Sequence, residues 1–348
     1  MQSFRSNAVR IFLTLTLAFP LLAAAGTLRV LAWPGYADAD VVKAFEQRTG
    51  SRVELTLIAS DSALWELMSR NSGGDFDVFA VNTAELQRYI REGLVVPVDL
   101  QRIPNRAAQQ PRFRKLEAIP GLVHDDKVFA IPYTFAEMGL IYDRNQLAAP
   151  PESINALWDP RFRGKVLAFN DANHNFSLAA QSLGRATPFA LAEHDWRDAV
   201  ERLIALRRNV LTFYTQPEES VELFRRQRVA VMLANYGSQQ LKLLEAAGAD
   251  VGYAIPREGA LAWLDCWAIS RGVRDKALAE AWIDFLLEPG PGQVLTNRQG
   301  LANTTSPVPR GPEGAKLVWL EPPESIERRT RLWARIISGD GAGKVLAR

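Results

Sequence analysis

A tryptophan and an aspartate two positions apart are the side chains of this chain best suited to bind a ligand. Trp263 and Asp265 lie in segment 262–269, whose residues alternate as in a strand, so both side chains are expected on one face. A carboxylate beside an indole suits an ammonium group, because the acid neutralises the charge and the ring attracts the cation. The plainer interpretation places Trp263 in the core and Asp265 at a strand end.

A second carboxylate, Asp171, follows the predicted strand 166–169 and precedes a predicted helix. Ordinary helix capping is one interpretation, since aspartate is a preferred residue at that position. The other interpretation is that Asp171 and Asp265 stand on opposite walls of a cleft. Two carboxylates arranged in that way would suit a molecule that carries an amine at each end.

Four further candidates stand in the turns after the first and third predicted strands. Trp33 and Tyr36 follow the first strand, and Asn82 and Thr83 follow the third. Loops at the carboxyl ends of parallel strands carry ligands in α/β proteins, so these side chains are expected to line a cleft. Alternatively, Trp33 belongs to the core and Tyr36 packs against a helix entry. In the same way, Asn82 or Thr83 could serve only as a helix cap.

Patterns for catalysis or metal binding do not occur in usable form. Segment 236–240 lacks the closing glycine of a G-x-S-x-G nucleophile turn. Segment 341–344 resembles a phosphate loop, but Ser338 stands where glycine is required and Val345 offers no hydroxyl, so we expect a flexible C-terminus. The three histidines and the single Cys266 show no metal-ligand spacing. The sequence therefore predicts no catalytic residue, no metal and no cofactor, hence a binding protein and not an enzyme.

The N-terminus predicts export. Arg5 and Arg10 precede an uncharged apolar run over 11–22, and three alanines over 23–25 follow it, as in a secretory signal peptide. The run is shorter than the ~20 residues that a membrane-spanning helix needs. We therefore expect residues 1–25 to be a cleaved signal peptide. The mature protein is expected to be a monomer in the bacterial periplasm, without membrane insertion.

Charge argues against one class of partner. The two arginines of the predicted signal peptide account for the formal net charge of +2, so the rest of the chain is neutral. A nucleic-acid-binding protein would be expected to carry a basic patch or stripe. No nucleic-acid partner is therefore expected.

The length and the order of elements predict two α/β lobes. The ~323 residues after the signal exceed the size at which one hydrophobic core keeps growing. Strand-like and helix-like segments alternate, which is typical of parallel sheets covered by helices. Two such lobes would place a ligand in the cleft between them. We expect one lobe over 26–133 and 261–304, and the other over 134–260 and 305–348. The predicted strands are 28–32, 52–58, 76–81, 138–142, 166–169, 230–234, 252–255 and 262–269, and the predicted helices include 38–49, 60–69, 84–91, 196–208, 217–227, 275–287 and 325–337.

These motifs, in this order, resemble the periplasmic spermidine/putrescine-binding proteins of ABC importers over nearly the whole mature sequence. The resemblance implies a type II periplasmic binding-protein fold, whose lobes close on one ligand and present a surface to a membrane permease. It also implies that Trp33, Tyr36 and Trp263 wall an amine channel, and that Asp171 and Asp265 pair with ammonium groups. The matching residues are Trp33, Tyr36, 76–78, 131–133, Trp158, Pro160, Gly164, 170–172, Trp263 and Asp265.

Three positions depart from the family pattern. His174 stands where the family usually has a second acid, Asn235 where it often has a tryptophan, and Leu301 where an aromatic residue is common. An ammonium group without a partner in the cleft would be costly. We therefore expect a putrescine-like diamine to be favoured over spermidine. Alternatives are another amine, a guanidino compound or another small solute, or a sensory binding protein that signals to a membrane receptor.

Overall fold

The computed structural model describes residues 26–58, 60–306 and 316–347, and the predicted signal peptide lies outside them. The strands are β1 (Thr27–Ala32), β2 (Arg52–Leu57), β3 (Val78–Asn82), β4 (Val95–Val96), β5 (Val123–His124), β6 (Lys127–Val128), β7 (Ala130–Met138), β8 (Leu140–Asp143), β9 (Val166–Phe169), β10 (Thr212–Tyr214), β11 (Val231–Leu233), β12 (Val251–Ala254), β13 (Ala260–Ser270), β14 (Ala302–Asn303) and β15 (Leu317–Trp319). The α-helices are α1 (Ala39–Thr49), α2 (Asp61–Ser69), α3 (Thr83–Arg91), α4 (Pro111–Arg114), α5 (Ala172–Ser182), α6 (Asp195–Asn209), α7 (Pro217–Arg226), α8 (Ser238–Ala246), α9 (Lys276–Leu286), α10 (Pro289–Val294), α11 (Ile326–Ile337) and α12 (Ala342–Leu346).

Eight strands form the first sheet, which is the base of the first lobe. Their order is β14-β7-β13-β3-β1-β2, and β4 and β15 also pair with β13. β1 runs parallel to β2 and β3, whereas β13 runs antiparallel to β3 and β7. The central strands β3 and β13 are buried along their whole length, which explains their nearly continuous apolar sequences.

A buried ion pair holds two inner strands of this sheet together. Arg29 on β1 contacts Asp77, just before β3, through Nη2 and Oδ1 at 2.6 Å and through Nε and Oδ2 at 3.0 Å. Burial alone would raise the pKa of Asp77, but hydrogen bonds from Arg29 and from the backbone of Arg274 hold that pKa below its ordinary value. Asp77 therefore acts within the sheet and is not free to bind a ligand.

Five strands form the second sheet, which is the base of the second lobe. Their order is β10-β9-β11-β8-β12. β9 runs parallel to β10 and β11, and β8 runs antiparallel to β11 and β12. The helices α5, α6, α11 and α12 pack against one another in this lobe. The carboxyl end of β9 leads into α5. The first residues of α5 line a pocket together with residues of the first lobe.

The chain passes from the first sheet to the second at Gly139, between β7 and β8. Tyr253 covers this point: its hydroxyl accepts from the Gly139 backbone N–H at 3.0 Å and donates to the Glu137 carbonyl at 2.6 Å. A Cβ atom at position 139 would lie 2.5 Å from the Tyr253 ring, so only glycine fits. The lobe limits expected from the sequence stay a prediction, but the sheets themselves change at Gly139, later than residue 133. The strand β15, placed in the second lobe by those limits, pairs with the first sheet.

The hairpin of β5 and β6 turns at Asp125 and Asp126, and these residues have positive φ angles of 47° and 58°. The prediction of a flexible C-terminus is wrong for the described residues: segment 341–344 enters α12, and Val345 is completely buried. Apolar Val345 and Leu346 are what fold this segment back, because they give a short helix one side to bury.

None of the helices in the described ranges has both the length and the apolar character that crossing a membrane requires.

Candidate functional site

Asp265 is a buried carboxylate in the centre of the first sheet. It lies on β13, opposite Asn82 on β3 and Thr134 on β7, and only 5% of the residue is exposed. The hydroxyl of Tyr36 donates to Asp265 Oδ2 at 2.5 Å. Burial raises the pKa of Asp265 to about 7, although the hydrogen bond from Tyr36 opposes this shift. The buried acid is therefore poised to take up a positive charge, either a proton or a cationic group.

A bulge in β7 supports Tyr36. Asp265 pairs with Thr134 and the next residue pairs with Pro132, so Tyr133 has no partner on β13. The Tyr133 hydroxyl donates to the Tyr36 carbonyl at 2.8 Å, and the two rings meet edge to face at 5.8 Å. The irregular strand thus holds the tyrosine that in turn holds Asp265.

Trp263 connects the two lobes. Its indole Nε1 donates to the backbone carbonyl of Asn235 at 2.9 Å, and Asn235 follows β11 of the second sheet. The side chain of Asn235 in turn contacts His174, with Oδ1 at 3.1 Å from Nδ1. Trp263 is 8% exposed, but its polar atom belongs to the boundary between the lobes and not to the core of either one.

Asp171 and His174 stand together at the start of α5. Asp171 Oδ1 accepts from the His174 backbone N–H at 2.7 Å, so the helix-capping interpretation of Asp171 is correct. Capping does not remove the carboxylate from the cleft, because 31% of the Asp171 side chain is exposed. Both residues line a pocket between the lobes.

Sequence reasoning missed two carboxylates that line the same pocket from the first lobe. Asp61 is the first residue of α2, and Glu85 lies in the first turn of α3. Burial raises the pKa of both, and the nearby carboxylates of Glu85, Asp171 and Asp265 raise that of Asp61 further. The signal was present in the sequence, since Asp61 follows the second strand in the same way that Tyr36 follows the first.

Asn82 lines the same pocket. Its Oδ1 accepts from the Glu85 backbone N–H at 2.9 Å, which caps α3, and its Nδ2 donates to Asp61 Oδ1 at 3.2 Å. The capping interpretation is therefore correct for Asn82, and the same side chain also holds an acid of the pocket. Thr83 is buried as the first residue of α3 and is not part of the pocket lining.

Trp33 lies in the turn at the end of β1. It is half-buried and packs against the core of the first lobe. Its carbonyl accepts from the Tyr36 backbone N–H at 3.2 Å, which closes the turn after β1. The indole Nε1 is buried without a hydrogen-bond partner among the described residues, and Trp33 is not part of the pocket lining.

Apart from Trp33 and Thr83, the predicted residues fall into an inner group and an outer pocket. The inner group is Tyr36, Asn235, Trp263 and Asp265. The outer pocket is small, with a cavity volume of about 20 Å³, which is room for little more than one water molecule. Its polar lining includes Asp61, Asn82, Glu85, Asp171 and His174. Asp61 interacts electrostatically with Asp171 of the outer pocket and with Asp265 of the inner group.

Arginines act on this acidic region through charge: Arg88 and Arg91 lower the pKa of Glu85 and so oppose the effect of its burial. Within the described parts of the chain, no lysine or arginine forms a salt bridge with Asp61, Glu85, Asp171 or Asp265. Arg329 also lines the outer pocket, but its guanidinium already pairs with Glu324 at 2.8 Å. Across the same ranges, no group of three or more histidine, cysteine, aspartate or glutamate residues is arranged to hold a metal ion. The carboxylates of this region are chemically suited to a positively charged group.

The fold and this cleft place the chain in a class of receptors. Residues 40–317 match the sequence model of the bacterial extracellular solute-binding proteins, so the chain belongs to that family. The family consists of solute-binding proteins of transport systems, not of enzymes. The predicted fold class, a type II periplasmic binding protein with two α/β lobes, is confirmed.

Individual relatives agree with the resemblance stated from the sequence. The putrescine-binding periplasmic protein PotF of Escherichia coli is 26% identical, over 92% of this chain and 93% of its own. A putrescine/agmatine-binding protein of Pseudomonas aeruginosa is 25% identical, over 91% and 93%. The solved spermidine/putrescine ABC transporter substrate-binding protein PotD of Streptococcus pneumoniae superposes with a TM-score of 0.68 at 22% identity, over 82% of this chain and 84% of its own. The resemblance to polyamine-binding periplasmic proteins is confirmed.

Proposed function

We propose that the protein is a periplasmic receptor that binds an amine of the polyamine type between its lobes and delivers it to the membrane permease of an ABC importer. The observation that carries this proposal is Asp265: a carboxylate in the middle of a sheet, 5% exposed, with a tyrosine hydroxyl and no basic side chain as its described partner. An isolated buried carboxylate is costly, and an ammonium group beside it would offset that cost.

The surroundings of Asp265 favour an ammonium over other cations. Trp263 is two residues away on the same face of β13, so its ring can cover the methylene groups next to the nitrogen. Tyr36 holds one carboxylate oxygen and leaves the other available. Two relatives are named for binding putrescine and agmatine, compounds that carry amine or guanidino groups, and this supports the same chemistry here.

For the ligand itself we propose a putrescine-like diamine. One ammonium group would pair with Asp265, and the other would lie towards Asp171 at the start of α5. The sequence argument against spermidine was the missing acid at position 174. Asp61 and Glu85 weaken that argument, because they bring two more carboxylates to the outer pocket. An aminoguanidine such as agmatine is the second candidate, since a guanidinium can be shared by several carboxylates.

Native mass spectrometry of the mature protein, purified from the periplasm of an expressing bacterium, tests this function. The expected result is a bound small cation, which calorimetry with putrescine, agmatine and spermidine would then rank. The exposed Asp250→Asn variant serves as a control, because Asp250 pairs with Arg144 on the surface of the second lobe. Recovery of an anionic or neutral ligand, or no heat with any amine, would overturn the proposal.

A further inference from the structure

We propose that Tyr214 and Gln240, two buried polar residues of the second lobe, are positioning residues for ligand binding. They fix the backbone of residues 234–238, a segment that meets the first lobe and that we call the docking turn. The docking turn accepts the hydrogen bond of Trp263, so its position decides how the two lobes fit together around the ligand. The proposal rests on the amine-binding function proposed above and deepens it.

The docking turn makes hydrogen bonds to the first lobe at two points. It follows β11 and leads into α8. The Asn235 carbonyl accepts from Trp263 Nε1 at 2.9 Å, and the Ser238 hydroxyl donates to the Gly300 carbonyl, just before β14, at 2.5 Å. The segment therefore carries both an acceptor and a donor across the boundary between the lobes.

A close approach of two backbones makes the docking turn sensitive to small displacements. Gly237 has a positive φ of 52°, and a Cβ atom at this position would lie 2.8 Å from the carbonyl oxygen of Glu137 on β7. The absence of a side chain lets the two backbones come this near. Because hydrogen bonds weaken steeply with poor geometry, a displaced turn would accept less well from Trp263.

Tyr214 on β10 holds the start of the docking turn from inside the second lobe. Its hydroxyl donates to the Leu233 carbonyl at 2.6 Å and accepts from the Asn235 backbone N–H at 2.9 Å. Tyr214 is completely buried. The residue whose carbonyl receives Trp263 thus has its own N–H fixed by Tyr214.

Gln240 on α8 holds the next residue of the turn. Its Oε1 accepts from the Tyr236 backbone N–H at 3.0 Å and lies 3.2 Å from the Tyr214 hydroxyl oxygen. Its Nε2 donates to Ser220 Oγ on α7 at 2.6 Å. Gln240 and Ser220 are completely buried as well, so water does not compete for these hydrogen bonds.

The direction of these hydrogen bonds indicates a positioning role in addition to packing. Those of Tyr214 and Gln240 to the backbone end on Leu233, Asn235 and Tyr236, which lie next to one another in the chain. A buried polar network in which the members satisfy one another holds one geometry firmly. Here the geometry that it holds is that of the acceptor for Trp263.

A double-mutant cycle tests the proposal. Affinity for putrescine is measured by calorimetry at pH 8 in the wild type, Tyr214→Phe, Trp263→Phe and the variant with both changes. Tyr214→Phe removes only the hydroxyl and keeps the ring beside Phe169, at 5.6 Å. If Tyr214 acts through the hydrogen bond of Trp263, its effect must disappear when residue 263 has no N–H.

We expect Tyr214→Phe alone to weaken putrescine binding about three- to tenfold. In the Trp263→Phe background the same change should alter affinity by less than about twofold. Gln240→Met, which keeps a side chain of similar length and loses its hydrogen bonds, should give the same pattern in a second cycle. Circular dichroism would verify that each variant folds.

The matched control is Tyr142→Phe, which should stay within about twofold of its parent in both backgrounds. Tyr142 is a buried tyrosine of the same sheet, but it pairs with Val231, at the end of β11 away from the docking turn. Equal losses with and without the Trp263 N–H, in either cycle, would overturn the positioning role alone, and so would wild-type affinity in Tyr214→Phe and Gln240→Met. If the wild type binds no amine, the proposed function and the positioning role fall together.

Discussion

The indole N–H of Trp263 in the first lobe donates to the backbone carbonyl of Asn235 in the second lobe at 2.9 Å. This hydrogen bond ties the ring that is proposed to cover the ligand to the opposite wall of the cleft. Trp263 therefore serves both closure of the lobes and contact with the ligand. Substitutions at this position can separate the two roles.

Trp263→Ala should weaken putrescine binding by roughly 1–3 kcal/mol, because burial and the cation–π contact are both lost. Trp263→Phe keeps a ring and loses only the N–H, so its effect should be smaller. Calorimetry at constant pH measures both. The matched control is Trp158→Phe: Trp158 Nε1 also donates to a backbone carbonyl, that of Arg202 at 2.8 Å, but away from the cleft. Equal losses for the Trp158 and Trp263 variants would show that the effect is a general loss of packing.

Amine affinity should rise with pH across the range in which Asp265 titrates. The pKa of Asp265 is raised to about 7, and an ammonium group must displace its proton below that pH. We expect affinity for putrescine to fall by up to about tenfold for each pH unit below about 7. In Asp265→Asn the affinity should be low throughout, with a flatter profile. A wild-type profile that is flat between pH 5.5 and 8 would argue against titration of this acid on binding.

The same group should make the ligand-free protein less stable at higher pH. Asp265 has a folded-state pKa of about 7 against an ordinary value of 3.8, so the folded protein keeps a proton that the unfolded chain has released between these values. The contribution of this proton to the free energy of unfolding is present at low pH and is lost as the pH rises towards 7. The free energy of unfolding, measured by urea titration, should differ less between pH 5 and pH 7.5 in Asp265→Asn than in the wild type. Asp61 titrates in the same sense, so only the difference between the two proteins reports on Asp265.

Tyr36→Phe should shift the pH profile of binding upwards. The Tyr36 hydroxyl donates to Asp265, and this hydrogen bond lowers a pKa that burial raises. Its removal leaves the pKa of Asp265 higher than about 7, so binding at neutral pH weakens and recovers in part at pH 8.5. The profile is measured by calorimetry at four or five pH values. A uniform loss at all pH values would mean that Tyr36 acts by packing alone.

Trp282→Ala should reduce stability without a direct effect on affinity. Trp282 on α9 is completely buried and meets the ring of Phe45 at 5.0 Å. Removing so large a core side chain costs about 3–5 kcal/mol. Chemical denaturation measures that loss, and calorimetry on the remaining folded protein should return a dissociation constant within about twofold of the wild type. A large loss of affinity would place α9 in the binding mechanism.

Local patterns in the sequence predict most elements of the fold. Alternation and helical spacing suffice for β9, α7 and β13, because each is decided by which side is buried. The sequence does not predict the long strand β7, because the predicted strand 138–142 contains only its last residue. Pro132 interrupts its pattern, and its place in the sheet depends on the bulge and on pairing with β13, which is distant in the chain.

Sequence patterns also predict part of the candidate site. The rule that ligands lie at the carboxyl ends of parallel strands pointed to Tyr36, Asn82 and Asp171, each in a turn after a strand. Asp61 has the same kind of position, but a serine before it suggested no more than a helix start. Its importance comes from the approach of α2 and α5 across the two lobes, and no local pattern contains that information.

The central claim is that Asp265 holds a positively charged group between the lobes. Calorimetric titration of putrescine into the wild type and into Asp265→Ala at pH 8, with Asp250→Ala as the control, tests it most directly. The account predicts one site in the wild type and in the control, and at least about a hundredfold weaker binding in Asp265→Ala, because the ammonium group would be left buried without its counter-charge. Binding by Asp265→Ala with wild-type affinity would contradict it.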